Sequence, residues 1–294
     1  MTPSKPLWLA LAPVMFLCLW SMGYVVAKIG LKFAEPMTLL ALRYAAVVVI
    51  MGLLFLILRP PLPKTPADWG HVAFVGFLIQ AIYFGMSYFA FRAGVAAGTV
   101  ALIMSLQPII VALIAPRWSG EAISARMWVG LTLGLIGAAI VIIARSSIAA
   151  PSVFGFLFCV LGLAGITIGS LWEKRFGLSH HPVTTNLIGF TAGLAFVAPL
   201  MLATERMEVT WTWEFTAALA YLVIGNSVIA VGLLLAMIRA GDVGKVSALF
   251  YLVPPLAALL AWVLLDEVMP PLAWAGMAVA AVGVWLATRV KTAK

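Results

Sequence analysis

The chain has 294 residues, 64% of them hydrophobic and only 10% charged, with a mean hydropathy of +1.14, whereas soluble domains carry about a quarter charged residues. That balance excludes a water-soluble globule. The net charge of +8 sits in cations at the ends of apolar runs, so membrane topology explains it and a nucleic-acid partner is not expected.

The apolar runs lack period-2 alternation, so helices are expected rather than an outer-membrane barrel. At the start, Lys5 precedes an Ala10-Leu11-Ala12 cleavage-like triplet, but only Pro6 to Leu9 lie between. That is too short for the roughly 7–15-residue core of a signal peptide, and the run is read as helix 1, Leu7–Ala27. Helix 2, Thr38–Leu58, stops at Arg59-Pro60-Pro61, where backbone donors are lost. Helix 3 (His71–Phe91) and helix 4 (Gly98–Ala115) form a tight hairpin, and helix 5 (Met127–Ala144) follows a short connector. Helices 6 (Ser152–Leu171), 7 (Thr184–Thr204), 8 (Phe215–Ile238), 9 (Val246–Leu265) and 10 (Leu272–Thr288) repeat the scheme. The expected fold is an all-α integral membrane protein of ten transmembrane helices. Cys18 and Cys159 lie in apolar runs and read as buried thiols.

The two halves are copies of each other. At an offset of 147, Gly85, Arg92, Ala93, Gly94 and Pro108 match Gly232, Arg239, Ala240, Gly241 and Pro255. At 146, Gly23, Lys28, Pro36, Thr38, Glu121, Trp128, Gly130 and Gly137 match Gly169, Lys174, Pro182, Thr184, Glu267, Trp274, Gly276 and Gly283. The units are residues 1–148 and 149–294, five helices each. An odd number forces the second copy to enter the membrane from the opposite face, giving a 5+5 inverted-topology repeat. Lys and Arg divide twelve to six in favour of the N-terminal side, which makes both termini cytoplasmic. Inverted duplication lets one sequence pack open to either side of a central site, the requirement for alternating access.

Polar residues inside the spans are the candidates for that site. Trp20, Ser21 and Tyr24 share a face of helix 1 by i+3 and i+4 spacing; Gln80, Tyr83, Ser87 and Tyr88 run along helix 3; Ser105 lies in helix 4, Ser227 beside Asn226 in helix 8, and Tyr251 in helix 9. Interhelical hydrogen bonding explains any one of them; the collective pattern fits a central cavity with aromatic walls. Pro108 in helix 4 and Pro254-Pro255 in helix 9 sit at matching depths, as passive kinks or as helix breaks that open a binding site. Lys28 and Lys174 match at opposite ends of helices 1 and 6, as snorkelling anchors or gate charges. Gly130, Gly134 and Gly137, echoed by Gly276, Ala280 and Gly283, form a small-residue face, either a scaffold contact or a dimer face.

Carboxylates all fall near helix ends: Glu35, Glu121, Glu173, Glu205, Asp266 and Glu267. A midplane proton relay of the usual kind is therefore not expected. His71, His180 and His181 lie at membrane edges with no metal-ligand spacing, and there is no phosphate-binding glycine loop, so neither a metal nor a nucleotide cofactor is expected. Residues 91–142 and 238–286 each carry the order Arg-Ala-Gly, Pro, Glu, Trp, Gly, and with it the whole chain resembles the EamA family of the drug/metabolite transporter superfamily. Within that family it is most similar to the YddG-type aromatic amino-acid exporter branch. The resemblance implies an inner-membrane exporter of metabolites. It departs from the small multidrug branch, since helix 1 carries Trp20 and Ser21 where that branch has a Glu. The expected cargo is a neutral or aromatic amino acid such as Phe, Tyr or Trp, with Met and Thr as further candidates, moved downhill or by an unrecognised coupling, by a monomer or a dimer. Efflux of lipophilic drugs is the alternative cargo. An intramembrane lipid-modifying enzyme is the alternative class, with only His180-His181 beside Glu173, Lys174 and Arg175 to support it.

Overall fold

A computed structural model describes residues 7–95, 97–119, 124–145, 152–176, 180–240, 249–265 and 270–288. It is all-helical there, apart from one isolated antiparallel bridge between Ala34 and Val209. The helices are α1 (Leu7–Gly30), α2 (Pro36–Leu58), α3 (Pro66–Gly76), α4 (Gly85–Arg92), α5 (Ala97–Met104), α6 (Gln107–Ser119), α7 (Ala125–Arg145), α8 (Val153–Phe176), α9 (Pro182–Thr204), α10 (Trp213–Tyr221), α11 (Val231–Ala240), α12 (Val253–Leu265) and α13 (Pro271–Thr288). Six stretches are long and apolar enough to span a bilayer: Leu11–Gly30, Pro36–Leu58, Pro66–Arg92, Val153–Glu173, Pro182–Thr204 and Trp213–Leu234, with shorter apolar helices at Ala125–Val141, Phe250–Leu264 and Pro271–Ala287. The chain is a multi-pass membrane protein.

Local chemistry sets the ends. Pro36, Pro66 and Pro182 occupy the first turns of α2, α3 and α9, where a missing N–H costs nothing. Thr65 and Asp68 form a reciprocal capping box, which starts α3 five residues before the expected His71. Arg59 closes α2 in the left-handed conformation, φ 45°, before Pro60-Pro61. On α2, Leu40, Tyr44, Val47 and Met51 are buried, while Val49, Leu53 and Leu56 on the opposite stripe are exposed. A water-soluble helix would show polar groups on that stripe; this one faces hydrocarbon. Cys159 is buried as expected, but Cys18 is exposed, because it lies on the outer stripe of α1 away from Phe16 and Trp20.

The prolines expected inside two long helices instead begin new ones. A two-residue turn at Ser105-Leu106 separates α5 from α6, with Pro108 in the first turn of α6. A 3₁₀ turn, Phe250–Leu252, precedes α12, with Pro254 and Pro255 in its first turn. In both places the ring falls where no intrahelical N–H is required, so the chain breaks before the proline rather than bending at it. Two wider breaks have no proline at all. A π-helical segment, Phe77–Phe84, joins α3 to α4, and another, Leu222–Ala230, joins α10 to α11.

The duplicated helices pack against their own copies. Gly130 of α7 lies against Gly283 and Ala287 of α13, and Gly137 against Gly276 and Ala280. Residue i thus meets the copy of j while j meets the copy of i, the reciprocity of a two-fold contact, and the two helices run antiparallel. The small-residue face is therefore occupied within the chain. The π segments repeat the pattern: Gly23 of α1 abuts Asn226, and its copy Gly169 of α8 abuts Ile79. Helices α2 and α9 are also antiparallel: Thr38 Oγ1 donates to Glu205 beyond the end of α9, and its copy Thr184 donates to the Pro61 carbonyl beyond the end of α2.

Candidate functional site

At 1.5 Å per residue, the 24-residue α1 is about 36 Å long. Trp20 therefore sits near mid-depth, with Lys28 toward one end. Three spaces follow one another along this axis. At the Lys28 end an open vestibule of about 860 Å³ is lined by Lys28, Lys32, Glu35, Phe91, Arg92 and Arg206, among others. Below it, Phe91, Tyr24, Tyr83, Ser87, Tyr88 and Trp20 enclose a cavity of about 20 Å³ with Arg43 and Asn226, room for about one water. Beyond Trp20, a third space of about 60 Å³ is lined by Gln80, Glu173, Thr185, Asn186 and Phe190. Phe91 borders the first two and Trp20 the last two, so these aromatics separate the compartments. Trp20 is wedged among Phe16, Phe84 and Phe250, ring centroids 5.2–6.2 Å apart.

Arg43 is the feature that reading the sequence missed. It lies in the second turn of α2 and is completely buried. Its Nε donates to Ser227 Oγ at 2.7 Å, Nη2 to Asn226 Oδ1 at 2.7 Å and Nη1 to the Tyr88 hydroxyl at 3.2 Å. Its Cζ lies over the Phe84 ring, 4.5 Å from the centroid. None of these partners carries a negative charge. A buried cation is costly, by several kcal/mol even after relaxation, unless paired, so neutral dipoles and a ring face offset only part of the cost. The signal is present in the sequence: Arg43 lies inside helix 2, Thr38–Leu58, and an ionisable residue within a span is a functional candidate by default.

The π segments supply the polar groups because a widened turn frees carbonyls. Ser227 Oγ donates to the Leu222 carbonyl five residues back at 2.9 Å, and the Tyr44 hydroxyl donates to the Gln80 carbonyl at 2.7 Å. Asn226 is held from its other side, Nδ2 donating to the Leu19 carbonyl of α1 at 3.4 Å, an acceptor shared with the Tyr221 hydroxyl at 2.9 Å. The Tyr24 and Tyr83 hydroxyls hydrogen-bond at 2.8 Å, tying α1 to the first π segment across the small cavity. Ser87 is spent on the Tyr83 carbonyl at 2.7 Å.

Of the expected residues, the structure thus brings Trp20, Tyr24, Tyr83, Ser87 and Tyr88 to one cavity, with Ser227 behind Arg43 and Gln80 on the far side of Trp20. Three stand apart. Tyr251 is buried against Gly134 and groups with Ala112, Leu131 and Val284. Ser105 is buried at the α5–α6 break, and Ser21 is buried in α1 but lines none of the three spaces. Lys28 does line the vestibule; the Lys174 side chain lies outside the described residues. Glu173, near the end of α8 as expected, is nonetheless buried and borders the third space.

Two carboxylates brace the vestibule. Glu205 accepts from the Met37 and Thr38 amides at 2.8 and 2.7 Å, satisfying orphan donors at the positive end of α2. Glu35 accepts from the Arg206 and Met207 amides at 2.8 and 3.2 Å and meets Arg92 at 3.4 Å. Among the described residues no three His, Cys, Asp or Glu side chains converge as metal ligands.

Comparisons with known proteins follow the same lines. The chain is 25% identical over 92% of its length, and 87% of the relative's, to the "Uncharacterized inner membrane transporter YedA" of Escherichia coli. It is 23% identical over 91%, and 90% of the relative, to a "Probable amino-acid metabolite efflux pump" of Salmonella typhimurium. A crystal structure at 21% identity shares the fold with a TM-score of 0.78, over 95% of this chain and 97% of its own. A family model matches twice, over residues 5–143 and 153–289, and the chain therefore belongs to the EamA-like transporter family, a transporter and not an enzyme.

Proposed function

We propose that this protein exports neutral and aromatic amino acids across the bacterial inner membrane by alternating access, downhill and without ion coupling. In this reading the helices group into ten crossings, with residues 1–148 and 149–294 as inverted five-helix halves and both termini in the cytoplasm. The observation that carries it is the row of three spaces divided by Phe91 and Trp20, the middle one walled by aromatics and polar at Arg43, Asn226 and Tyr88. A vestibule open at one end, with the centre too small for a solute, is what one phase of such a cycle requires. The relative named as an amino-acid metabolite efflux pump supports the cargo class. Rings of Trp20, Tyr24, Tyr83 and Tyr88 would contact the side chain once the cavity widens, and opening must break the Tyr24–Tyr83 hydrogen bond. Pro108, Pro254 and Pro255 mark the breaks about which the paired segments would shift.

Counterflow of labelled phenylalanine in proteoliposomes tests the proposal. Exchange above protein-free vesicles is expected, and its absence rejects the cargo. An imposed pH gradient is expected to drive no accumulation; accumulation would reveal proton coupling, with buried Glu173 the first carboxylate to substitute.

A further inference from the structure

We infer that Arg43 is the anchor for the substrate's carboxylate, so that the site takes free carboxylic acids and discriminates against their amides and against amines lacking the acid. The inference rests on the exporter reading above and narrows it. A guanidinium has five N–H donors. The protein uses three, on Nε, Nη1 and Nη2, which leaves one on each terminal nitrogen, enough in number for a two-bond contact with a carboxylate. Arg43 borders the central cavity, is completely buried, and has no carboxylate within ion-pair distance among the described residues. Its charge is also not part of the duplicated scaffold. At the offset of 146 that pairs Pro36 with Pro182, Arg43 corresponds to Gly189, which packs against Gly76. A cation present in one half only, held by neutral dipoles at the edge of a cavity, is the arrangement expected of a ligand contact rather than a symmetric structural tie. Ser227, Asn226 and Tyr88 are then positioning residues that hold the guanidinium in one orientation.

The test uses the full chain, both in proteoliposomes and in detergent. Phenylalanine, 3-phenylpropionate, phenylalaninamide and phenethylamine are compared as competitors of phenylalanine counterflow and as ligands that raise the melting temperature. Phenylalanine and 3-phenylpropionate are expected to compete and stabilise, with the other two at least tenfold weaker. Arg43→Lys should weaken carboxylate ligands, and Arg43→Gln should abolish their advantage over the amides. Equal competition by the amide overturns the anchor while leaving the exporter reading intact. Absent counterflow together with an Arg43-dependent, carboxylate-selective thermal shift sinks the amino-acid cargo and leaves the anchor standing. A thermal shift by acetate or chloride as large as that by 3-phenylpropionate marks an inorganic-anion site and overturns the assignment. Should Arg43→Gln fail to fold, the wild-type ligand series decides by itself.

Discussion

At the residue scale, the carboxylates at the vestibule do unequal work. The Glu205 side chain is only 2% exposed and takes two amides and the Thr38 hydroxyl, whereas Glu35 is 24% exposed. Charge-assisted caps at helix N-termini are worth about 0.5–2 kcal/mol, with the larger values where water is excluded. Glu205→Gln should therefore lower the melting temperature in detergent by several degrees, and Glu35→Gln by less. The reverse order would mean that the Arg92 ion pair, not the helix cap, holds the vestibule together. The sequence placed both residues correctly near helix ends, but their partners lie about 170 residues away, and separations of that size leave no local pattern.

At the element scale, the signals that set helix ends are local, though the expected start of helix 3 falls five residues late, whereas the wider breaks inside helices carry no local signal. Proline in a first turn, a Thr-x-x-Asp box and a left-handed closing residue are written in adjacent residues. The π segments are not: Phe77–Phe84 and Leu222–Ala230 contain no proline, and their widened turns are sustained by side chains such as Tyr44 and Ser227 bonding into the freed carbonyls. Glycine shows the same division. A methyl on Gly137 would strike the backbone of Ala280 and Gly276, whereas one on Gly52 would meet nothing within 4 Å. Gly137→Val should separate α7 from α13 and cost about 1–3 kcal/mol or more, as overpacking does. Gly52→Ala should leave the melting temperature unchanged or raise it, since alanine is the better helix former. Equal losses from both would mean that the α7–α13 seam is looser than described.

At the scale of the whole molecule, the duplication is visible as matched letters, and the contacts show how two of the copied helices meet. Gly130 meeting Gly283 while Gly137 meets Gly276 shows α7 and α13 packed antiparallel with reciprocal contacts, the arrangement that the proposed inverted halves call for. If both termini are cytoplasmic, cysteines introduced by Thr2→Cys and Ala293→Cys should react with an impermeant maleimide only from the inside, and one at Lys28→Cys only from the outside. Native Cys18 and Cys159 lie within membrane-spanning helices, away from either aqueous face. Labelling of the two termini from opposite sides would rule out the inverted arrangement.

What the sequence determined alone was whatever depends on composition and spacing: that the chain lives in a bilayer, which stretches are helical, and that it is duplicated. Burial and partnership were decided by the fold, because both depend on residues far apart in the chain. Arg43 reads as a boundary charge until α2 and the second π segment close around it. Tyr251 reads as a cavity residue until α12 turns it toward Gly134. Near neighbours set the local backbone, but in a membrane interior the fate of a polar group is settled by which distant dipole can satisfy it.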